Sequence, residues 1–341
     1  MKLITITFTI ISVLALGNIN AQDPPSQSVG VARLTPEVRT AITKGLEYLS
    51  KEGSQRADGS WGGDQNRVAE TSLTLMAFML QGHVPGRGQY GRKMENAIEF
   101  LINKGKERRG YLGTPRNHAG MYEHGLAVLA LSEAWGQSKN PRIKSALTRA
   151  VDVILRAQNK EGGWRYSPEP RDADLSMTVM QIVALNSASE AGIAVPQTTI
   201  DKAAEYVLSC QDQGSGGFKY TAGGGEPNFA RTAAGVMSLI MCGQRDLKAT
   251  QRGIAFLKAF PESKFKSTNH FHYAHYYAVQ SMYQSGDADF RAWYPKISTE
   301  IVGKQNKNDG SWSGSYGQAY GTSLSILILG VPYRYLPIYQ R

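Results

Sequence analysis

Cysteine is nearly absent, with only Cys210 and Cys242 among 341 residues, so no disulfide framework organises this chain. On the helical reading below, the two fall at opposite ends of one antiparallel pair. At about 1.5 Å per residue that separates them by about 20 Å, beyond the reach of one bond, and both thiols are expected free. Long apolar runs are missing too: past residue 21 no stretch reaches the about 18 apolar residues that a membrane helix needs. No shift in composition marks a linker, so one domain is expected. The formal charge is +10, but its densest group, Arg87, Arg92, Lys93, Lys104, Lys106, Arg108 and Arg109, has no interleaved aromatic platform. Nucleic acid is therefore not an expected partner. There are six histidines and no HExxH pattern, and neither a metal nor another cofactor is expected.

The first 21 residues, MKLITITFTIISVLALGNINA, carry one lysine, an apolar run from Ile10 to Leu16 and a small residue at Ala21. This is the pattern of a signal peptide, and the run is too short to anchor the chain in a membrane. Its removal takes away Lys2 and lowers the charge from +10 to +9. An exported protein, periplasmic or secreted, is expected. Residues 22–35 are polar and proline-bearing, as a flexible lead-in would be, and residues 36–341 form the expected single domain.

Within that domain one stretch, Arg149 to Trp164 (RAVDVILRAQNKEGGW), recurs in degraded form. The copies open at residues 44, 96, 149, 202, 252 and 296, in steps of 52, 53, 53, 50 and 44. The first five have a cation or amide, a small residue, and an apolar pair four positions on, a stripe at helical spacing, and in the sixth Lys296 leads to Ile301. Most then have glycine before an aromatic: Gly59-Ser60-Trp61, Gly110-Tyr111, Gly162-Gly163-Trp164, Gly216-Gly217-Phe218 and Gly310-Ser311-Trp312. A more apolar helix follows each turn, at 68–81, 121–134, 175–191, 229–242, 272–283 and 322–329. Helices apolar on most sides belong inside, so six outer–inner hairpins closing into a ring are expected. The recurring tryptophans read as staples between copies, because a binding site is normally single. Copy five lacks the glycine before Phe265, and Pro261 ends its outer helix early, so an irregular connection is expected there. The tail from Gly330, with Pro332 and Pro337, is expected to run extended against the ring.

These residues resemble the QW motif of squalene and hopene cyclases and, more broadly, the prenyltransferase and squalene oxidase repeat. The resemblance covers nearly all of residues 40–330 and is best in Arg149, Ala150, Ile154, Gln158, Gly162 and Trp164. It implies an all-α (α/α)6 toroid whose inner helices line a central cavity, and it implies no single reaction, because that ring serves several chemistries. Triterpene cyclases protonate an alkene with the central Asp of a DXDD motif. Here the place reads Asp172-Ala173-Asp174-Leu175, so Asp174 is either that acid or the N-cap of its helix. Prenyltransferases hold zinc with Asp, Cys and His, whereas Ser176 stands where the thiolate would be. Thioester domains carry Gly-Cys-Gly-Glu-Gln, which is absent.

The remaining polar residues near the starts of the inner helices converge on one mouth of the ring, where helix N-termini favour anions. The catalytic candidates are Asp172, Asp174 and His272. The ligand-binding candidates are Glu70, His118, Tyr122 and Glu123 in the first two copies, Arg231 in the fourth, and His270, His275 and Tyr320 in the last two. His272 and His275 share a helix face at i, i+3 spacing. Asp172, Asp174, Arg231, His270 and His272 are expected at comparable positions in neighbouring copies, with Asp174 paired to Arg231. The functional expectation is an exported toroid that takes a small molecule or polymer (glycan, lipid or protein) in its cavity. The alternatives are a cyclase-like isomerase with Asp174 as acid, or a lyase on an acidic polysaccharide. Oligomeric state is left open by the sequence.

Overall fold

Local chemistry starts several of the helices. The Thr35 hydroxyl accepts the Val38 N–H at 3.3 Å and Pro36 stands where no N–H is needed, and Asn140 with Pro141 repeats the device. Asp174 and Asn228 cap two inner helices by accepting the N–H three residues on. In the computed structural model, which describes residues 34–333 except 116–118 and 139, twelve α-helices form six hairpins. They are α1 (Pro36–Ser50) with α2 (Arg67–Leu80), α3 (Gly91–Glu107) with α4 (Gly120–Gln137), and α5 (Pro141–Ala157) with α6 (Leu175–Glu190). The second half repeats this with α7 (Gln197–Ser209) and α8 (Phe229–Met241), α9 (Lys248–Lys258) and α10 (Phe271–Ser285), and α11 (Asp287–Gly303) and α12 (Gln318–Leu329). Among the described residues there are no strands, only two isolated bridges.

The even-numbered helices form the inner ring. Each packs against the next, α2 on α4, then α6, α8, α10 and α12, and α12 returns to α2. Nearly every residue of α2 from Glu70 onward is buried, and the polar ones are satisfied internally, as with Ser72 on the Val68 carbonyl and Thr74 on Ser323. The odd-numbered helices lie outside, each wedged between the inner helix of its own hairpin and that of the preceding one.

The repeated motif is the junction between consecutive hairpins. Gly310 takes a left-handed backbone (φ 78°), and a Cβ there would sit 2.7 Å from the Lys44 carbonyl, so glycine is demanded both by conformation and by close approach. The same contact joins Gly59 to Asn96, Gly110 to Arg149, Gly162 to Lys202 and Gly216 to Arg252. The first residue of five of the six motifs, all but Lys296, is thus the seat for the glycine of the copy before it. Its neighbour is small for a related reason: a Cβ on Gly45 would lie 2.8 Å from the Trp312 ring. The glutamines bridge the same junction. Gln158 donates to the carbonyls of Gly162 and Thr199, both at 2.9 Å, and Gln305 donates to those of Gly310 and Ala41 at 2.9 and 2.8 Å. The last copy therefore closes onto the first by the same bonds that Gln55, Gln158 and Gln211 make at three other junctions.

Two details, at α12 and at the tail, depart from the sequence reading, and the irregular connection expected in copy five is present. Helix α12 begins at Gln318, four residues before the apolar run, because Gly321 packs on the Trp312 carbonyl where a Cβ would come within 2.6 Å. The irregular connection of copy five is a 3-10 helix, Glu262–Ser267, that buries Phe265. The tail opens with a 3-10 turn, Val331–Tyr333, rather than an extended strand. Residues 334–341, residues 1–21 expected as a signal peptide and residues 22–33 of the expected lead-in lie outside the described residues. Cys210 and Cys242 are both free, and burial pushes their thiols up, to about 11 and about 12.

Candidate functional site

The registers of the inner helices are fixed by one recurring bond. The backbone N–H of Trp61, Trp164, Phe218 and Trp312 donates to the hydroxyl of Thr71, Thr178, Thr232 and Thr322 at 2.9, 3.2, 3.0 and 3.0 Å. In copy two His124 replaces the threonine, its Nδ1 accepting from the Leu112 N–H at 3.0 Å while Nε2 faces the Ala150 carbonyl. In copy five His275 takes the place, with Nε2 on the Phe265 carbonyl at 3.2 Å. Burial pushes both imidazoles down to about 4, so they are neutral. His275 is thus a junction residue, and its nitrogen and that of His272 go to different neighbours rather than to one ion. Among the described residues no group of three His, Cys, Asp or Glu side chains is arranged to hold a metal.

One residue before this position stand Glu70, Glu123 and Arg231. The Glu123 carboxylate accepts the Thr114 N–H at 2.6 Å, and Glu70 accepts from Gly63 in the same way. Glu70 thus holds the residue two past Trp61, and Glu123 the residue two past Leu112, which donates to His124. A Cβ on Gly62 would come within 2.3 Å of the Glu70 carboxyl. Burial lifts Glu70 to about 7 and raises Glu123. These two carboxyls therefore clamp loops instead of facing a ligand.

Two residues before the position, Tyr122, Ser176, Tyr273 and Tyr320 are half-buried and face the centre. The Tyr122 and Tyr273 rings meet edge-on at 6.4 Å, Tyr273 packs on Tyr277 at 4.9 Å, and Tyr320 lies 6.0 Å from His272. Burial raises the pKa of every one of these phenols. The centre is thus packed with rings that carry neutral hydroxyls.

Beside these rings lies a charged cluster. Asp174 is fully buried; one oxygen accepts the Met177 N–H at 2.9 Å and the other the Arg165 guanidinium at 3.1 Å. Burial raises its pKa, while the cap bond and Arg165 oppose this. Arg165 also pairs with exposed Asp172 at 3.2 Å and lies over the Tyr166 and Tyr220 rings at 4.7 and 5.5 Å. The two tyrosine hydroxyls bond to each other. Arg231 lies 5.3 Å over the Tyr220 ring, and its guanidinium donates to the Glu226 carbonyl at 2.7 Å.

The expected pairing of Asp174 with Arg231 is replaced by Asp174 with Arg165. The five residues expected at comparable positions are not so placed: Asn228, the N-cap of α8, is the counterpart of Asp174, and Arg231 stands three residues further on. His272 is buried, its Nε2 3.2 Å from the Ser325 hydroxyl, and burial and then Lys304 push it down to about 4. His270 is exposed with a left-handed backbone (φ 53°) just ahead of α10. His118 lies outside the described residues. Arg165, Tyr166 and Tyr220 were missed by the sequence reading. The available signal was position: Tyr166 and Tyr220 each stand two residues after a staple aromatic, where the loop turns in to the mouth.

A ring of six helical hairpins, joined by glycine–aromatic junctions and opening at the inner-helix starts, defines the class. The sequence pattern of the prenyltransferase alpha-alpha toroid domain matches residues 124–200 and 193–315, and the chain belongs to that family. No curated protein matches the sequence. Solved structures share the fold at low identity. An inactive variant of the alpha-1,6-mannanase GH76A of Salegentibacter sp., in complex with alpha-1,6-mannotetrose, superposes with a TM-score of 0.65 at 9% identity, covering 87% of this chain and 99% of the mannanase. Type II terpene cyclase MstE from Scytonema gives 0.58 at 14% identity over 89% of this chain and 100% of that one. Cellobiose 2-epimerase from Bacillus thermoamylovorans gives 0.59 at 12%, over 86% and 97%. The fold is therefore related to those of terpene cyclases, mannanases and epimerases.

Proposed function

We propose that this chain is an exported toroid that binds an oligosaccharide at the mouth of its inner ring. The observation that carries the reading is the composition of that mouth: Tyr122, Tyr166, Tyr220, Tyr273 and Tyr320 supply rings and hydroxyls together, beside Ser176 and two guanidiniums. Flat aromatic faces with a few fixed polar groups suit sugar rings, which present an apolar face and a rim of hydroxyls. The mannotetrose held by the similarly folded mannanase is in keeping with this.

Catalysis has less support from the geometry. A cyclase-like acid must present a proton to its ligand; burial raises the Asp174 pKa, but both of its oxygens already accept bonds, one from the Met177 N–H and one from the Arg165 guanidinium, so neither is free to face a ligand. A base for elimination should titrate near neutral pH, whereas His272 is pushed down to about 4 and the Tyr220 phenol is raised.

The test is calorimetric titration of the purified chain with neutral and acidic oligosaccharides and with triterpenes. Oligosaccharide binding that falls at least about tenfold in Tyr320→Ala is expected, on the order of 1.4 kcal/mol. Triterpene binding alone overturns the reading. Export is tested by fractionation and N-terminal sequencing, with cleavage expected after Ala21.

A further inference from the structure

Arg231 has the wrong sign for its position. It is the third residue of α8, where the free N–H groups of a helix start amount to about half a positive charge and repel a cation. At the same register α2 and α4 carry Glu70 and Glu123, the sign that a helix start favours, while the first turn of α8 has no acidic residue. Its cap, Asn228, is neutral.

Among the described residues no carboxylate lies within ion-pair distance of Arg231. Its partners are the Glu226 carbonyl at 2.7 Å and the face of Tyr220 at 5.3 Å. Arg165, over the same tyrosine, differs in being neutralised by Asp172 and Asp174. The mouth thus holds one guanidinium already matched and another without a counter-charge, next to a helix end that itself attracts anions. A guanidinium fork is the group best shaped to receive a planar carboxylate or a sulfate ester by paired hydrogen bonds.

We propose that Arg231 receives the anionic group of an acidic sugar, a carboxylate or a sulfate ester, seated between the start of α8 and the Tyr220 ring. The proposal rests on the oligosaccharide reading and narrows it to a substrate class. Bound there, the anion faces both the guanidinium and the amides of α8, so one contact offsets the repulsion that the free protein carries.

The experiment compares wild type, Arg231→Gln and Arg231→Lys with three trisaccharides of equal length: neutral, uronate-bearing and sulfated. Wild type is expected to bind at least one charged trisaccharide at least about tenfold tighter than the neutral one, with the margin shrinking as salt is raised. The preferred charged probe names the source of the anion. In Arg231→Gln the ratio of charged-probe to neutral-probe affinity should fall to about one, and Arg231→Lys should keep part of the preference. The Gln variant is also expected to melt at or above the wild-type temperature, because its helix start no longer repels a cation. A wild type that binds neutral and charged probes equally refutes the anion site but leaves sugar binding standing, whereas one that binds none of the three removes both. A Gln variant that melts lower and keeps its preference makes Arg231 structural and overturns the proposal.

Discussion

Trp164 is fully buried, its indole N–H on the Ile154 carbonyl at 2.8 Å and its backbone N–H on Thr178. Truncation to Ala should cost about 3 to 5 kcal/mol, the range for a large buried aromatic, measured by denaturant unfolding, with ligand affinity per folded molecule unchanged. A variant that melts like wild type but no longer binds would move Trp164 into the site. Glu70 makes a pH prediction. The folded chain keeps its proton up to about pH 7, whereas the ordinary value is 4.5. Stability is therefore lost as pH rises through that window. Glu70→Gln, which still accepts the Gly63 N–H, should remove part of that loss, on the order of 2 kcal/mol between pH 5 and pH 8. Equal slopes of melting temperature against pH in the two proteins would show that Glu70 ionises freely.

Helices were legible in the sequence, and their junctions much less so. Apolar runs placed five inner-helix starts within one residue, because burial on most sides leaves an unbroken signal. The glycine–aromatic pattern showed a period but not its physical partner, since the Gly310 seat at Lys44 lies across the whole chain. The site suffered most from this. Arg165, Tyr166 and Tyr220 sit on loops whose direction depends on those junctions, while Glu70, Glu123 and His275 look like ligand groups in sequence yet hold loops in the structure. A pair of glycines tests the junction. Gly53 and Gly310 have nearly equal backbones (φ 79° and 78°), but a Cβ on Gly53 meets nothing within 4 Å. Gly53→Ala should cost only the left-handed strain, about 1 to 2 kcal/mol. Gly310→Ala should cost clearly more, because the Lys44 carbonyl must also move. Equal losses in thermal melts would mean that the close approach carries no energy.

The whole molecule is a closed ring in which α12 and α1 meet as any neighbouring copies do. An open array loses stability in proportion to the repeats removed. Here, deleting α11 and α12 strips partners from both α1 with α2 and α10. The expected result is loss of cooperative unfolding altogether, read by circular dichroism on heating. A shortened chain that still melts in one sharp transition would show that closure is not required.

Closure also bears on how such a chain can change over time. A linear array can gain a unit by tandem duplication at either end, because the newcomer needs only one seat. In this ring every inner helix already has a neighbour on both sides, and the Lys44 seat is filled by Gly310, so a seventh hairpin has nowhere to dock. The copies are left to diverge in place, and new length is admitted only in the loops. The mouth, built from those loops and from the residues at the starts of the inner helices, is where such divergence can alter what is bound while the frame stays the same.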